Sequence, residues 1–249
     1  MTELLKVRGL TVRAGDTTIL HDINLNIGPG ETHVLMGPNG AGKSTLGHVI
    51  MGSPEYEVEA GGIEFAGRDI ADDASDARSR AGIFLSFQAP VEVPGVPLNS
   101  FLRAIVAQHD ELKLRGKRYK DRVAQVMDQL DMDPASLNRE LNVGFSGGEK
   151  KKVEMLQLLL LQPRLAILDE TDSGLDVDAL TVVSRAISIY REDCAGSLLI
   201  ITHQKRLLEH LDVDHAHVMV AGRLVESGDA RLVDDINRNG YERFTKAGA

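Results

Sequence analysis

Nine consecutive residues constrain this chain more than any other stretch. Gly37, Pro38, Asn39, Gly40, Ala41, Gly42, Lys43, Ser44 and Thr45 fit G-x-x-x-x-G-K-[ST], the phosphate-binding loop. Residues 32–36 precede it as a short apolar strand, and residues 45–51 follow it as a helix. The three glycines let the backbone wrap closely, with N–H groups turned toward phosphate oxygens. The helix start adds its own N–H groups and positive dipole end. Lys43 then reaches the β- and γ-phosphates, which places it among the catalytic residues, and the Ser44 hydroxyl binds Mg²⁺. The ligands implied are a β,γ-phosphate-bearing nucleotide and Mg²⁺.

Composition narrows the setting. A chain of 249 residues with 43% hydrophobic and 26% charged residues can bury a sizeable core as a globular protein. Aromatics are 4% and Trp is absent, so stacking platforms for single-stranded nucleic acid are not expected. The formal charge of −9 argues against nonspecific nucleic-acid or anionic-membrane partners. No run is long and apolar enough for a membrane-spanning helix, and residues 1–6 lack a signal-peptide pattern. Cys194 is the single cysteine, which fits a reducing, cytoplasmic setting.

Along the chain, residues 4–27 alternate as two strands around Ala14, Gly15 and Asp16, and residues 61–67 read as a further strand. Residues 83–87 read as a buried strand ending at Gln88, followed by a loop stiffened by Pro90, Pro94 and Pro97. Helical spacing then dominates 98–162, through Phe101, Leu102, Ile105 and Val106, then Val123, Val126, Met127 and Leu130. The basic segment 113–120 within it reads as a solvated loop and helix start. A helix over 150–162 stops at Pro163, and strand 165–168, helix 178–192, strand 198–201, helix 204–211 and strands 218–220 and 223–228 follow. The expectation is a single α/β domain of the P-loop NTPase kind over 1–249. It has a mixed sheet, an N-terminal β-subdomain, a catalytic core of 1–88 and 163–249, and a helical insertion of 89–162.

Parallel sheets gather ligand-binding residues at the carboxyl ends of their strands. The phosphate loop, Gln88, the Asp169–Glu170 pair and His203 all follow apolar strands here. Asp169 is placed to hold Mg²⁺, directly or through water. Glu170 can orient or deprotonate the attacking water. Gln88 can bind Mg²⁺ or that water, and His203 can hydrogen-bond the γ-phosphate. Ser146, Gly147 and Gly148 form a second glycine-rich helix start suited to an anion, with a hydroxyl that also serves as its cap. Its natural ligand is the nucleotide of another copy.

These motifs resemble the ATP-binding cassette (ABC) ATPases across nearly the whole chain. Residues 37–45 resemble Walker A, Gln88 the Q-loop, residues 145–149 the signature motif, residues 165–170 Walker B with its catalytic Glu, residues 173–176 the D-loop, and His203 the switch histidine. The resemblance implies ATP hydrolysis in an ATP-dependent head-to-tail dimer, with the signature and Asp176 among the nucleotide contacts. Glu149 in place of the usual signature Gln, Thr171–Asp172 after the catalytic Glu, and residues 86–96 resemble the branch serving SUF iron–sulfur cluster assembly. That branch implies SufB-like and SufD-like scaffold partners docking near the Q-loop and helical insertion. One cysteine cannot hold a cluster, so the cluster would sit on a partner. No aromatic of the adenine-stacking kind lies near Arg13, which leaves Arg13 or Val12 for that contact. The alternative reading is the nucleotide-binding subunit of a membrane transporter. A nucleic-acid-linked ATPase is disfavoured by the acidic charge.

Overall fold

The strands at 83–86, 165–169 and 197–201 are almost wholly apolar, and apolar strands of that kind need cover on both faces. A computed structural model describes residues 3–202, 205–209 and 211–246. In chain order its strands are β1 (Leu5–Ala14), β2 (Thr17–Ile27), β3 (Thr32–Met36), β4 (Glu57–Phe65), β5 (Arg68–Asp69), β6 (Ile83–Ser86), β7 (Val93–Pro97), β8 (Glu140–Leu141), β9 (Leu165–Asp169), β10 (Ser197–Ile201), β11 (His215–Val220) and β12 (Arg223–Gly228). Its helices are α1 (Lys43–Ile50), α2 (Ser75–Arg80), α3 (Leu98–Ala107), α4 (Gly116–Gln129), α5 (Gly147–Leu161), α6 (Val177–Cys194), α7 (Ala230–Asn239) and α8 (Glu242–Lys246).

The central sheet runs β12-β11-β3-β10-β9-β6, parallel except for β12. Alternate residues of each inner strand supply two separate cores. Leu165 and Ile167 of β9 and Leu199 and Ile201 of β10 face a core shared with α1 and the antiparallel sheet β2-β1-β4-β5. Ala166 and Leu168, with Leu198 and Ile200, face the core built from α3, α4, α5, α6 and α7. Helix α5 buries Val153, Met155, Leu156, Leu158, Leu159 and Leu160 around most of its circumference, as a helix packed among other helices must. This is the α/β phosphate-loop fold expected from the sequence.

Three local expectations change. The strand expected from residue 61 starts at Glu57; its first half alternates Glu57, Val58, Glu59 and Ala60 but is exposed throughout, so it adds no core residue. A Cβ on Gly61, whose φ is 86°, would lie 2.4 Å from the Arg8 carbonyl oxygen, so glycine is needed where β4 presses on β1. The proline-rich loop after Gln88 contains β7, which pairs with β8. The helix expected over 204–211 is a 3₁₀ turn at Lys205–Leu208, where Leu207 and Leu208 anchor a segment too short for an α-helix. Residues 204 and 210 of that stretch, and residue 203 before it, lie outside the described residues.

Arg78 of α2, buried at 3% exposure, closes the end of α1. Its Nη1 donates to the carbonyls of Val49 and Ile50 at 2.9 Å each, its Nη2 to Ala71 at 2.9 Å and its Nε to Asp73 at 2.8 Å. A cation at a helix C-terminus also meets the negative end of the dipole. Arg78→Met keeps much of the volume and strands these carbonyls, so urea unfolding should show a loss of about 3 kcal/mol. A loss below about 0.5 kcal/mol would show that Arg78 does not hold this end of the helix.

Candidate nucleotide-binding site

The loop between β3 and α1 is built for an anion. Gly42 turns the chain into α1 at φ 100°, and no side chain caps the helix start, so its first N–H groups face the loop. A Cβ on Gly37 would lie 2.1 Å from the Met219 carbonyl oxygen, so the loop can leave β3 beside β11 only with glycine there. Lys43 is 5% exposed and its Nζ donates to the Gly37 and Pro38 carbonyls at 3.0 and 3.1 Å. Burial lowers its pKa, and the Glu170 and Asp169 carboxylates oppose that shift. The ammonium is thus folded into the loop whose phosphates it would serve.

The strand register brings the other groups to the same edge. Ile201 pairs with Leu35 on one side and with Asp169 on the other, and Ser86 pairs with Leu168. The Ser44 hydroxyl donates to the Asp169 carboxylate at 3.0 Å. Burial raises the Asp169 pKa, the Ser44 bond opposes that, and the Glu170 charge adds to it. A hydroxyl against a nearly dry carboxylate is a hard-oxygen pair of the type that holds Mg²⁺, so the donor set fits that ion. Glu170 sits at φ 44°, its N–H donates to the Ile201 carbonyl at 2.8 Å, and its carboxylate accepts from Gln88 Nε2 at 2.7 Å. Gln88 is exposed. Lys43, Ser44, Gln88, Asp169 and Glu170 therefore share one edge; His203 lies outside the described residues.

The second glycine-rich helix start is exposed and its bonds are local. The Ser146 hydroxyl accepts from the Glu149 N–H at 3.2 Å while Glu149 accepts from the Ser146 N–H at 2.8 Å, a complete capping box. Arg139 donates to Glu149 at 2.7 Å and stacks 3.9 Å from the centre of the Phe145 ring. The Ser146 amide bond and Arg139 outweigh the small desolvation of Glu149 and lower its pKa. A Cβ on Gly147 would meet nothing within 4 Å, whereas one on Gly148 would lie 3.2 Å from the Ala179 Cβ, so Gly148 also serves α5–α6 packing. Asp176 caps α6 by accepting from the Ala179 N–H at 2.8 Å.

One sequence expectation is corrected and several contacts are new. Val12 is fully buried in the β-subdomain core and cannot reach adenine. Arg13 is bonded to Glu57 at 2.6 Å across the strand pair. Buried Asp172 accepts from the Thr202 hydroxyl at 2.6 Å, tying the loop after β9 to the end of β10. Glu154 of α5 accepts from the Phe87 N–H at 2.8 Å, the Ser86 hydroxyl at 3.1 Å and Lys151 at 2.8 Å, joining the root of the Q-loop to the signature helix. Both are pairings between distant segments, for which no local pattern exists. A sequence cue lay only in the departure Thr171–Asp172.

Comparison with known proteins agrees with this architecture. Residues 20–173 match the family profile described as "ABC transporter". The chain is 43% identical over 249 residues to the "Probable ATP-dependent transporter ycf16" of Pyropia yezoensis, covering 98% of each. It is 41% identical over 247 residues to the "Probable ATP-dependent transporter SufC" of Escherichia coli (strain K12), covering 98% of this chain and 99% of the relative. A solved structure described as the ATP binding subunit of an ABC transporter matches with a TM-score of 0.77 at 27% identity, over 99% of this chain and 95% of the other.

Asp172→Ala removes the carboxylate from the fully buried Thr202 hydroxyl. Thermal or urea unfolding should show a loss of about 1–3 kcal/mol. ATP turnover should fall with it, because Thr202 directly precedes His203. Unchanged stability and turnover would remove this pair from any role at the site.

Proposed function

The chain belongs to the ABC transporter family as an ATP-binding cassette, and from that premise we propose that it is a Mg²⁺-dependent ATPase driving iron–sulfur cluster assembly, in a cytoplasmic complex with SufB-like and SufD-like scaffold proteins. The observation that carries the ATPase is the convergence of Lys43, Ser44, Asp169, Glu170 and Gln88 on one sheet edge. The observation behind the assembly role is full-length similarity to a relative named SufC, together with the residues around Gln88, Glu149 and Asp172.

In this reading Lys43 leaves the Gly37 and Pro38 carbonyls for the β- and γ-phosphates, and the α1 N–H groups take the remaining phosphate oxygens. Ser44, Asp169 and Gln88 would hold Mg²⁺, which when bound would offset charge on the transferred phosphoryl group. Glu170 exchanges its bond with Gln88 for one to the attacking water and accepts its proton. His203 bonds the γ-phosphate. Ser146, Gly147 and Gly148 face the nucleotide of a second, head-to-tail copy, and Asp176 lies at that junction. The core of 1–88 and 163–249 then moves against the helical part, 89–162, through the Glu154–Phe87 link.

Two features support soluble partners carrying the cluster. Cys194 is the single cysteine, half-buried, with its thiol donating to the Tyr190 carbonyl at 2.9 Å, and a cluster needs several thiolates. Phe87 and Val91 beside the Q-loop are 47% and 70% exposed, an apolar patch suited to a docking protein. No helix among the described residues is long and apolar enough to cross a membrane.

Lys43→Ala should weaken ATP binding at least about a hundredfold, read by equilibrium binding of labelled nucleotide. Glu170→Gln should keep ATP bound while turnover falls by about 10²–10⁴-fold. Wild-type binding in the first or a wild-type rate in the second would remove these residues from their roles. Affinity capture of the chain from its own cells tests the assembly role. Soluble iron-binding proteins should be recovered, and an integral membrane partner in their place would support the transporter reading instead.

A further inference from the structure

The nucleotide site uses the carboxyl end of β3. The opposite end of the same strand, roughly 13 Å away at 3.3 Å per residue, holds a second polar cluster that ATP hydrolysis does not use. Glu31 and His33 stand two residues apart at the start of β3, and His215 and His217 stand two apart at the start of β11. The parallel register sets His215 against His33 and His217 against Leu35, so strand alternation puts all four polar side chains on one face. Ligand atoms of Glu31, His33 and His215 lie within 4.8 Å of one another. The His33 ring is 4.8 Å from that of His215 and stacks at 5.2 Å and 19° on that of His217.

The hydrogen bonds behind the cluster form a chain that can run in either direction. His33 Nε2 lies 2.9 Å from Glu31 Oε2, His33 Nδ1 lies 2.9 Å from His217 Nε2, and His217 Nδ1 lies 2.8 Å from Ser227 Oγ on β12. In one direction the Ser227 hydroxyl donates to His217, His217 Nε2–H to His33, and His33 Nε2–H to Glu31. Reversed, His33 Nδ1–H donates to His217 and His217 Nδ1–H to Ser227. Both imidazoles stay neutral and no proton is gained or lost. The reversed chain leaves a bare lone pair on His33 Nε2, facing Glu31 and His215. An imidazole whose other nitrogen donates to a buried partner is the usual support of a metal-binding histidine.

We infer that Glu31, His33 and His215 form a two-histidine, one-carboxylate site for a divalent first-row transition metal, with His217 and Ser227 fixing the His33 tautomer. Three ligands of this set leave positions open to water, as in sites for Zn²⁺ or Fe²⁺. Glu31 also accepts from the Gly28 N–H at 2.5 Å through Oε2, which fixes its carboxylate. Thr32 donates its N–H to Asp214 at 2.7 Å, which anchors the start of β3 beside β11. The outermost ligand, His215, is exposed, so the metal has a path in from solvent. The site is separate in place and chemistry from the oxygen-rich Ser44–Asp169 pair, which suits Mg²⁺.

Calorimetric titration of the nucleotide-free chain with Zn²⁺, in excess Mg²⁺ to occupy the oxygen site, tests the inference. One Zn²⁺ per chain should bind. His215→Ala and Glu31→Gln should each weaken it by about tenfold or more, with metal-free melting and Mg²⁺–ATP turnover unchanged. Co²⁺ should give a visible d–d band in the wild type that His215→Ala abolishes. Because His215 is exposed, its variant does not depend on repacking a core. Absence of a stoichiometric Zn²⁺ site in the wild type, or wild-type Zn²⁺ affinity in either variant, would overturn the site and leave the cluster as a hydrogen-bond chain only.

Discussion

The side-by-side register of β3, β10, β9 and β6 is the constraint on which everything else depends. Successive strand residues face opposite sides, so β9 supplies Leu165 and Ile167 to one core and Ala166 and Leu168 to the other. A slip of one residue would exchange these sets and move Asp169 away from Ser44. The two cores thus enforce the edge at which the polar groups meet. Neither the phosphate loop nor the Asp169–Glu170 pair would form a site without that enforcement.

The helical part is tied to this edge at identifiable points. Buried Lys151 and Glu154 bond each other and hold both the Phe87 backbone and the Ser86 hydroxyl, which fastens α5 to the end of β6. Burial raises the Glu154 pKa and the Lys151 charge opposes it, as expected of a buried pair whose remaining bonds must all be met. At the head of the same helix, Glu149 and Arg139 hold Ser146 in a capped, exposed start.

Much of the site could be read from the sequence because it is local. The loop glycines, Lys43 and Ser44 form one continuous motif, and Gln88, Asp169 and Glu170 each follow an apolar strand. Contacts between distant segments left no such trace. Arg78 closes α1 through contacts that no local pattern marks, and Asp172 and Thr202 meet only through the sheet. Val12 looked available for adenine because alternation alone does not say which face of β1 a second layer will cover. Four polar residues at the starts of β3 and β11 gave no signal in the sequence, since only the parallel register brings them together.

A shared nucleotide is tested most directly by complementation between two inactive variants. A Lys43→Ala chain lacks the phosphate-loop half, and a Ser146→Arg chain lacks the signature half. Each alone should hydrolyse ATP at background rate. Mixed in equal amounts, half the head-to-tail pairs would carry one intact site of two, so turnover should return to about a quarter of the wild-type rate. A mixture no more active than its components, or a Ser146→Arg chain fully active by itself, would contradict a site built from two copies.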